Sequence, residues 1–189
     1  MSNNAMVSSE NERLILVDED DNVLGYASKG EAHNGMGTLH RAFSIFIFNP
    51  DGEVLLQKRS EQKRLWPMYW SNSCCSHPRE GETYEFSTAR RLREELALEA
   101  ELTFLYRFSY QALYSEAAGS EHELCSVYVG HIGRDAVVDV NPNEIAEWKW
   151  VSTDEVDRLL EEEPQTLTPW FKMEWARIRR DHASALSRQ

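Results

Sequence analysis

Apolar residues fall in short strand-length runs over the first third of the chain, and the period then changes. "RLILVD" and "VLGYAS" flank the polar turn Asp20-Asp21-Asn22 and predict a β-hairpin. "RAFSIFIFNPDGEVLLQKRS" predicts two apolar strands turned at Asn49-Pro50-Asp51-Gly52. From Glu82 to Leu98, Phe86, Ala89, Leu92 and Leu96 recur at helical spacing, which predicts an amphipathic helix with Arg91, Glu94 and Glu95 off its apolar stripe. "LTFLYRFSYQALY" and "EHELCSVYVGHI" return to strand chemistry around the turn "SEAAGS", and "EIAEWKWVS" adds one more strand. Ser152 with Glu155 predicts a capping box opening a second helix. Thr168-Pro169 predicts a C-terminal helix to about Ala183, with Thr as N-cap and Pro at the first helical position. Trp66, Trp148, Trp150 and Trp175 fall at strand or helix spacing and are expected in the core. A mixed sheet with a few helices is an α+β fold, an αβα sandwich around a mixed central sheet.

Nothing in the pattern divides the chain. Residues 1–12 read as a flexible N-terminal tail and 13–189 as one domain, and 189 residues with 41% apolar content suffice for a single core. No apolar run approaches the roughly 20 residues that cross a bilayer, and "MSNNAMVSSENE" lacks the basic and apolar parts of a signal peptide. A cytoplasmic protein, monomeric or weakly dimeric, is expected. The three cysteines, two of them adjacent and none in a CxxC pair, point to reduced thiols rather than a disulfide scaffold or a zinc ribbon. A net charge of −12 argues against nucleic-acid and anionic-membrane partners, which need a basic surface to replace counterions. An anionic small molecule fits only where local cations or metal ions overcome that field.

The chemistry-bearing residues are scattered. "SNSCCSHP" sets Cys74 and Cys75 beside His77, a cluster compatible with a metal site, a disulfide or a catalytic thiol. His33 and His40 flank "NGMGTL", and no histidine spacing forms a compact zinc signature. Glu121 and Glu123 sit two apart in a predicted strand, so they share a face with Cys125 and suit metal binding or acid/base work. Ser76, Glu82 and "RRLREELAL" from Arg90 resemble the Nudix box, G-x5-E-x7-R-E-U-x-E-E-x-G-U with U apolar. Ser76 and Ala97 replace its glycines, and Arg91 replaces the first glutamate of its R-E-U segment. Nudix hydrolases hold divalent cations with those glutamates, so an arginine there weakens a hydrolytic cluster and supplies a diphosphate ligand. A Nudix diphosphate hydrolase is the alternative that Glu82, Glu94 and Glu95 favour and Arg91 opposes. A metal- or redox-sensing domain built on Cys74, Cys75 and His77 is a third.

Taken in order, "HNGMGTLHRAFSIFIFN", "LLQKRS", "SNSCCSHP", the altered box, "EHELC" and "TPWFKMEW" resemble type I isopentenyl diphosphate isomerase over nearly the whole chain. The resemblance implies a Nudix-like fold and interconversion of isopentenyl and dimethylallyl diphosphate. It implies a catalytic thiol at Cys75, not Cys74, and a partner carboxyl at Glu123 assisted by Tyr110. It also implies a metal held by His33, His40, His77, Glu121 and Glu123, where imidazoles with carboxylates suit zinc or manganese. Magnesium would arrive with the diphosphate and meet Glu95 and the Cys75 carbonyl, while Lys29, Arg59, Lys63 and Arg91 contact the phosphates. Moving a double bond by one carbon adds a proton at one carbon and removes one from another through a tertiary carbocation-like state. An acid and a base must therefore flank the substrate. Glu123 is the expected first donor, with Cys75 accepting the second proton as a thiolate; the reverse order has also been considered in the family. Trp170 is expected to stabilise the cation with its ring, worth about 2 kcal/mol when desolvated, and Trp70 to wall the pocket. Met68 stands where "WPG" is common, and Ser76 and "YSEAAGSE" also depart from parts of the family, which bears on loop shape.

Overall fold

The computed structural model describes residues 4–186; residues 1–3 of the expected tail and 187–189 of the expected domain lie outside the described residues. Strands β1 (Arg13–Val17) and β2 (Val23–Ser28) form the expected hairpin, and its last residue caps a single turn, α1 (Lys29–Ala32). Ser28 and Glu31 close a capping box there, which the sequence reading missed.

Strand β3 (His40–Phe48) organises the sheet. It runs parallel to β8 (Gly119–His131), from His40 opposite Glu123 to Phe48 opposite His131. Its other edge pairs antiparallel with β6 (Cys74–Ser76), setting Ser44 opposite Cys75 and Ile45 opposite Cys74. Because β3 turns at Asn49–Gly52 into β4 (Val54–Arg59), with Gly52 at φ 79°, the two strands pair only at Phe48 and Val54 and then diverge. Strand β4 instead pairs with β5 (Trp70–Ser71) and β9 (Ile145–Val151), while β7 (Leu102–Ser115) forms a long hairpin with β8.

Side-chain alternation gives the sheet two buried faces. On one, Phe43, Ile45, Ile47, Leu55 and Cys74 pack against Leu92 and Leu96 of α2 (Tyr84–Leu96). On the other, Phe46, Phe48, Leu56 and Val127 pack against Trp170, Phe171, Trp175 and Ile178 of α4 (Pro169–Asp181), with Val156 of α3 (Thr153–Glu162). Helices on both faces of a mixed sheet make the αβα sandwich expected from the pattern.

Several local expectations are corrected. The buried face of α2 carries Ser87, Thr88, Arg91, Leu92, Glu95 and Leu96, whereas Phe86 stands exposed; two charges replace part of the apolar stripe because they neutralise each other. At α3, Ser152 Oγ accepts from the Glu155 amide, but Glu155 turns to Lys149 and Arg158, so half of the box forms. Thr168 makes no side-chain cap; its hydroxyl is taken by Ser71 at 2.9 Å. Trp66 and Trp175 are core residues and Trp150 packs half-buried against the core on the α2 face, but Trp148, also on β9, is exposed. Residues 4–12 hold no strand or helix, and Met6, Ser8 and Glu10 among them line the cavity described below, with Val7 O accepting from Arg79 and Arg91.

Candidate active site

Strand register builds the site. Tyr110 on β7, Glu123 on β8 and His40 on β3 are opposite one another across three adjacent strands, and Glu121 lies two residues from Glu123 on the same face. His33 follows α1. Gly119, at φ 104°, lets the tip of β8 close on that loop: a Cβ there would stand 2.0 Å from the His33 carbonyl, which instead accepts from the Ser120 amide at 3.0 Å. His77 follows β6 and brings Cys75 with it.

The three imidazoles form a near-equilateral cluster with ring centroids 4.9, 5.0 and 5.3 Å apart. Nε2 of His33 lies 3.3 Å from Nε2 of His40, and Nε2 of His77 lies 3.0 Å from Oε1 of Glu123. Ligand atoms from His33, His40, His77, Glu121 and Glu123, all buried, lie within 4.8 Å of one another. That is close to the span of opposite ligands around one ion with bonds of about 2.0–2.3 Å. Oε2 of Glu121 sits 3.0 Å from His33 Nε2, yet it is buried without a hydrogen-bond partner. Nδ1 of His40 is bonded to Thr38 O at 2.7 Å, which fixes the ring with Nε2 toward the cluster. Burial and His33 push His40 down to about 3, and burial and His40 push His77 well below the imidazole range, so both are neutral ligands. Burial raises both glutamates, but His33 outweighs it at Glu121, while the Glu121 charge drives Glu123 further up. Two anions in one buried site are tolerable together only with a cation between them, and this donor set fits a divalent metal.

Beside this cluster is a cavity of about 250 Å³ lined by Cys75, Glu123, Tyr110 and Trp170, with Lys29, Arg59, Lys63 and Arg91. The Tyr110 hydroxyl donates to Oε2 of Glu123 at 2.7 Å, and burial with the Glu123 charge holds that phenol well above its ordinary range. Burial pushes the Cys75 thiol up to about 12, while the Arg59 guanidinium, which approaches Sγ to 3.7 Å, pulls it the other way. The same guanidinium lies over the Trp170 ring, 5.1 Å from its centroid, and is anchored on the Leu65 and Trp66 carbonyls. Trp170 is fixed by Nε1 donating to Ser71 Oγ at 3.0 Å. Trp70, expected to wall the pocket, instead receives Lys58 and Lys149 on its ring and is not among the lining residues.

The Nudix-box glutamates are paired with arginines. Glu82 and Glu94 accept from Arg90, and Glu95 accepts twice from Arg91 and once from Gln57. Glu95 thus belongs to a buried arginine clasp and stands apart from the histidine cluster. Sequence reasoning missed Glu144, buried between Lys63 and Arg91, and Ser8, whose hydroxyl donates to Glu144 at 3.1 Å. Neither lies in a recognisable motif; "NPNEI" reads only as a turn entering a strand.

The NUDIX domain model matches residues 38–171. Isopentenyl-diphosphate Delta-isomerase 1 of Photorhabdus laumondii is 42% identical over 177 residues, covering 93% of this chain and 99% of that protein. Isopentenyl-diphosphate Delta-isomerase of Nocardia farcinica is 41% identical, covering 82% and 88%. A crystal structure from Deinococcus radiodurans aligns with a TM-score of 0.70 at 26% identity, over 88% of this chain and 98% of that one. A MutT protein from Methanosarcina mazei, at 23% identity and TM-score 0.62 over 76% and 94%, shares the fold. With this sheet, this altered box and relatives matched end to end, the chain belongs to the Nudix family and, within it, to the isopentenyl-diphosphate Delta-isomerases.

Proposed function

We propose that this protein interconverts isopentenyl diphosphate and dimethylallyl diphosphate, with Cys75 and the Glu123–Tyr110 pair as the opposed proton-handling groups. The observation that carries the reading is the shared cavity: Cys75 and Glu123, from β6 and β8, line one space whose wall also carries Lys29, Arg59, Lys63 and Arg91. The cations take the diphosphate; the alkenyl tail then lies between the thiol and the carboxyl. One group gives a proton to the double bond and the other takes one from the allylic carbon, and their parts exchange in the reverse direction. Tyr110 orients Oε2 of Glu123 and remains a hydrogen-bond donor throughout, because its proton is held so firmly. The Trp170 ring and buried walls such as Leu65 exclude water, which would otherwise capture the cation as an alcohol.

His33, His40, His77, Glu121 and Glu123 would hold a divalent metal, manganese or zinc by donor chemistry, and Glu95 with the Cys75 carbonyl would meet the magnesium accompanying the diphosphate. When bound, such a cation would supply charge that offsets the buried carboxylates and would tie β8 to the His33 loop. The arginine pairing of Glu82, Glu94 and Glu95 weighs against the hydrolase alternative. Three free cysteines, two of them buried, suit a reducing cytoplasmic setting for a monomer or weak homodimer. Among the described residues no helix is long and apolar enough to cross a membrane.

The test is incubation of the protein with magnesium and isopentenyl diphosphate in deuterated buffer. Dimethylallyl diphosphate carrying deuterium is expected; release of phosphate with no isomer would favour the hydrolase instead.

A further inference from the structure

The cation wall contains an anion that the isomerisation chemistry does not use. Glu144, just ahead of β9, is buried, and its Oε2 accepts from Lys63 Nζ, from Arg91 Nη2 at 3.1 Å and from Ser8 Oγ at 3.1 Å. Burial opposes its ionisation, but Lys63 and Arg91 outweigh that and hold the carboxyl down at about 2, so it is a full anion at neutral pH. It lines the same cavity as the two cations it binds.

We propose that Glu144 is a positioning residue of the diphosphate end: it holds the Lys63 ammonium and the Arg91 guanidinium between turnovers and yields them to phosphate oxygens when substrate binds. The inference rests on the substrate reading above. The physical need is plain. Lys29, Lys63 and Arg91 are like charges around one cavity, and burial together with the other two cations already lowers the Lys29 ammonium. Left without an anion, they would repel one another and remain uncompensated. A carboxylate beside them removes that cost, yet it competes with an incoming diphosphate for the same donors and repels its charge.

Which effect governs affinity depends on what else fixes the cations. Arg91 keeps its place without Glu144, because Glu95 accepts from both Nε and Nη2 and Val7 O accepts from Nη1. Lys63 Nζ has Glu144 as its partner among the described residues. Removing the negative charge therefore frees one cation and leaves the other aimed into the cavity. Affinity for a diphosphate then rises, while the protein without one loses stability.

The experiment is titration calorimetry of wild type and Glu144→Gln with inorganic diphosphate and magnesium. The variant is expected to bind about tenfold more tightly, since it no longer separates an ion pair to bind. Its melting temperature is expected to be lower without diphosphate and to gain more than wild type on adding it. KM for isopentenyl diphosphate falls with the dissociation constant, whereas kcat does not rise. General structural damage would weaken binding and leave no such split. If Glu144→Gln does not fold, Glu144→Asp keeps the charge but withdraws it by one methylene, and binding two- to threefold tighter is expected on the same grounds. Wild-type binding with unchanged or weaker binding by the variant overturns this inference alone. A wild-type protein that binds no magnesium diphosphate overturns the substrate reading and the inference together.

Discussion

The Tyr110 hydroxyl donates to Oε2 of Glu123 across 2.7 Å, from one strand of the β7–β8 hairpin to the residue directly opposite it on the other. The phenol leaves Oε1 of Glu123 to His77, at 3.0 Å, so one carboxyl serves the cavity and the histidine cluster with different oxygens. Tyr110→Phe keeps the ring, which stacks on Phe108 with centroids 5.5 Å apart, and removes only the donor. A loss of about 10–100-fold in kcat is expected, within the usual contribution of a proton-handling group. The stability cost stays near 1–3 kcal/mol for a buried acceptor left unpaired. Steady-state kinetics with a parallel urea melt checks both, and full activity in the phenylalanine variant would remove Tyr110 from the proton path.

Removing the proposed metal should loosen the site from both sides. Chelation leaves Glu121 and Glu123 as neighbouring buried carboxyls with the three imidazoles, and His33→Ala deletes the ligand carried by the loop after α1. Metal content measured on the purified protein is expected to fall by at least about half in His33→Ala, in line with the 10–100-fold affinity losses seen for lesser changes around metal sites. Thermal stability should drop with it and recover on adding manganese or zinc to wild type. Undiminished metal content in the variant would move the ion elsewhere.

The centre of the sheet was legible from its runs of apolar residues because β3, β4 and β8 are buried on both faces, which leaves little ambiguity about where they begin. Helix α2 was half legible: a stripe read from apolar side chains cannot see that Arg91 and Glu95 are buried as a pair, nor that Phe86, in the first turn, hangs in solvent. Strands β5 and β6 were invisible at two and three residues, yet β6 carries the thiol. The five metal-type ligands come from separate strands and loops, so no spacing rule gathers them; the family resemblance did. Glu144 escaped both routes, since its meaning depends on Lys63 and Arg91, 81 and 53 residues away.

Two departures from family sequence carry a readable strain. Ala97, in the place of a Nudix-box glycine, closes α2 at φ 54° and ψ 29°, and Met68, where "WPG" is common, sits at φ 63°. The left-handed region costs a side chain roughly 1 kcal/mol relative to glycine. Ala97 is exposed, so little packing is lost on substitution. Ala97→Gly is therefore expected to stabilise the protein by about 0.5–1 kcal/mol, or about 1–4 °C in Tm, against the usual loss for a glycine placed in a helix. A lower melting temperature would contradict the cap geometry.

Glu174 on α4 is fully buried and takes no part in the proposed chemistry. Its Oε1 accepts from the Cys125 thiol at 3.6 Å, and its Oε2 has no partner. Burial raises its carboxyl to about 7, only partly offset by Ser44 and Cys125. The titratable groups facing it, the Cys125 thiol and the Tyr106 phenol, are themselves raised by burial and stay neutral, so no counterion awaits an ionised Glu174. The folded protein keeps a proton that the unfolded chain releases near 4.5; the resulting stability is present below 4.5 and lost as pH rises through about 7. The swing is about 3 kcal/mol. Glu174→Gln cannot titrate, so its stability relative to wild type should improve by that amount between pH 4.5 and pH 8, read from urea melts across the range. Parallel pH profiles for the two proteins would show the carboxyl to be ionised or solvated.

The adjacent cysteines give the sharpest contrast. Alternation along β6 sends Cys74 into the core under α2, with Ile45, Leu55 and Leu92, and Cys75 into the cavity beside Arg59. Cys74→Ala removes packed sulfur from a closed core, so a stability loss of about 1–2 kcal/mol with kcat nearly intact is expected. Cys75→Ala removes the proposed proton-handling atom from the cavity wall, so stability should change little while kcat falls at least about 10³-fold, roughly 4 kcal/mol of barrier. Glu123→Gln should fall as far, because each group is needed in both directions. A metal- or redox-sensing reading reverses this order: it makes Cys74 as necessary as Cys75 and ties both to metal binding. Activity, melting temperature and metal content measured on the three variants therefore separate the two accounts. Loss of activity in Cys74→Ala with retained activity in Cys75→Ala would put the chemistry on the wrong face of the strand and end the isomerase assignment of these residues.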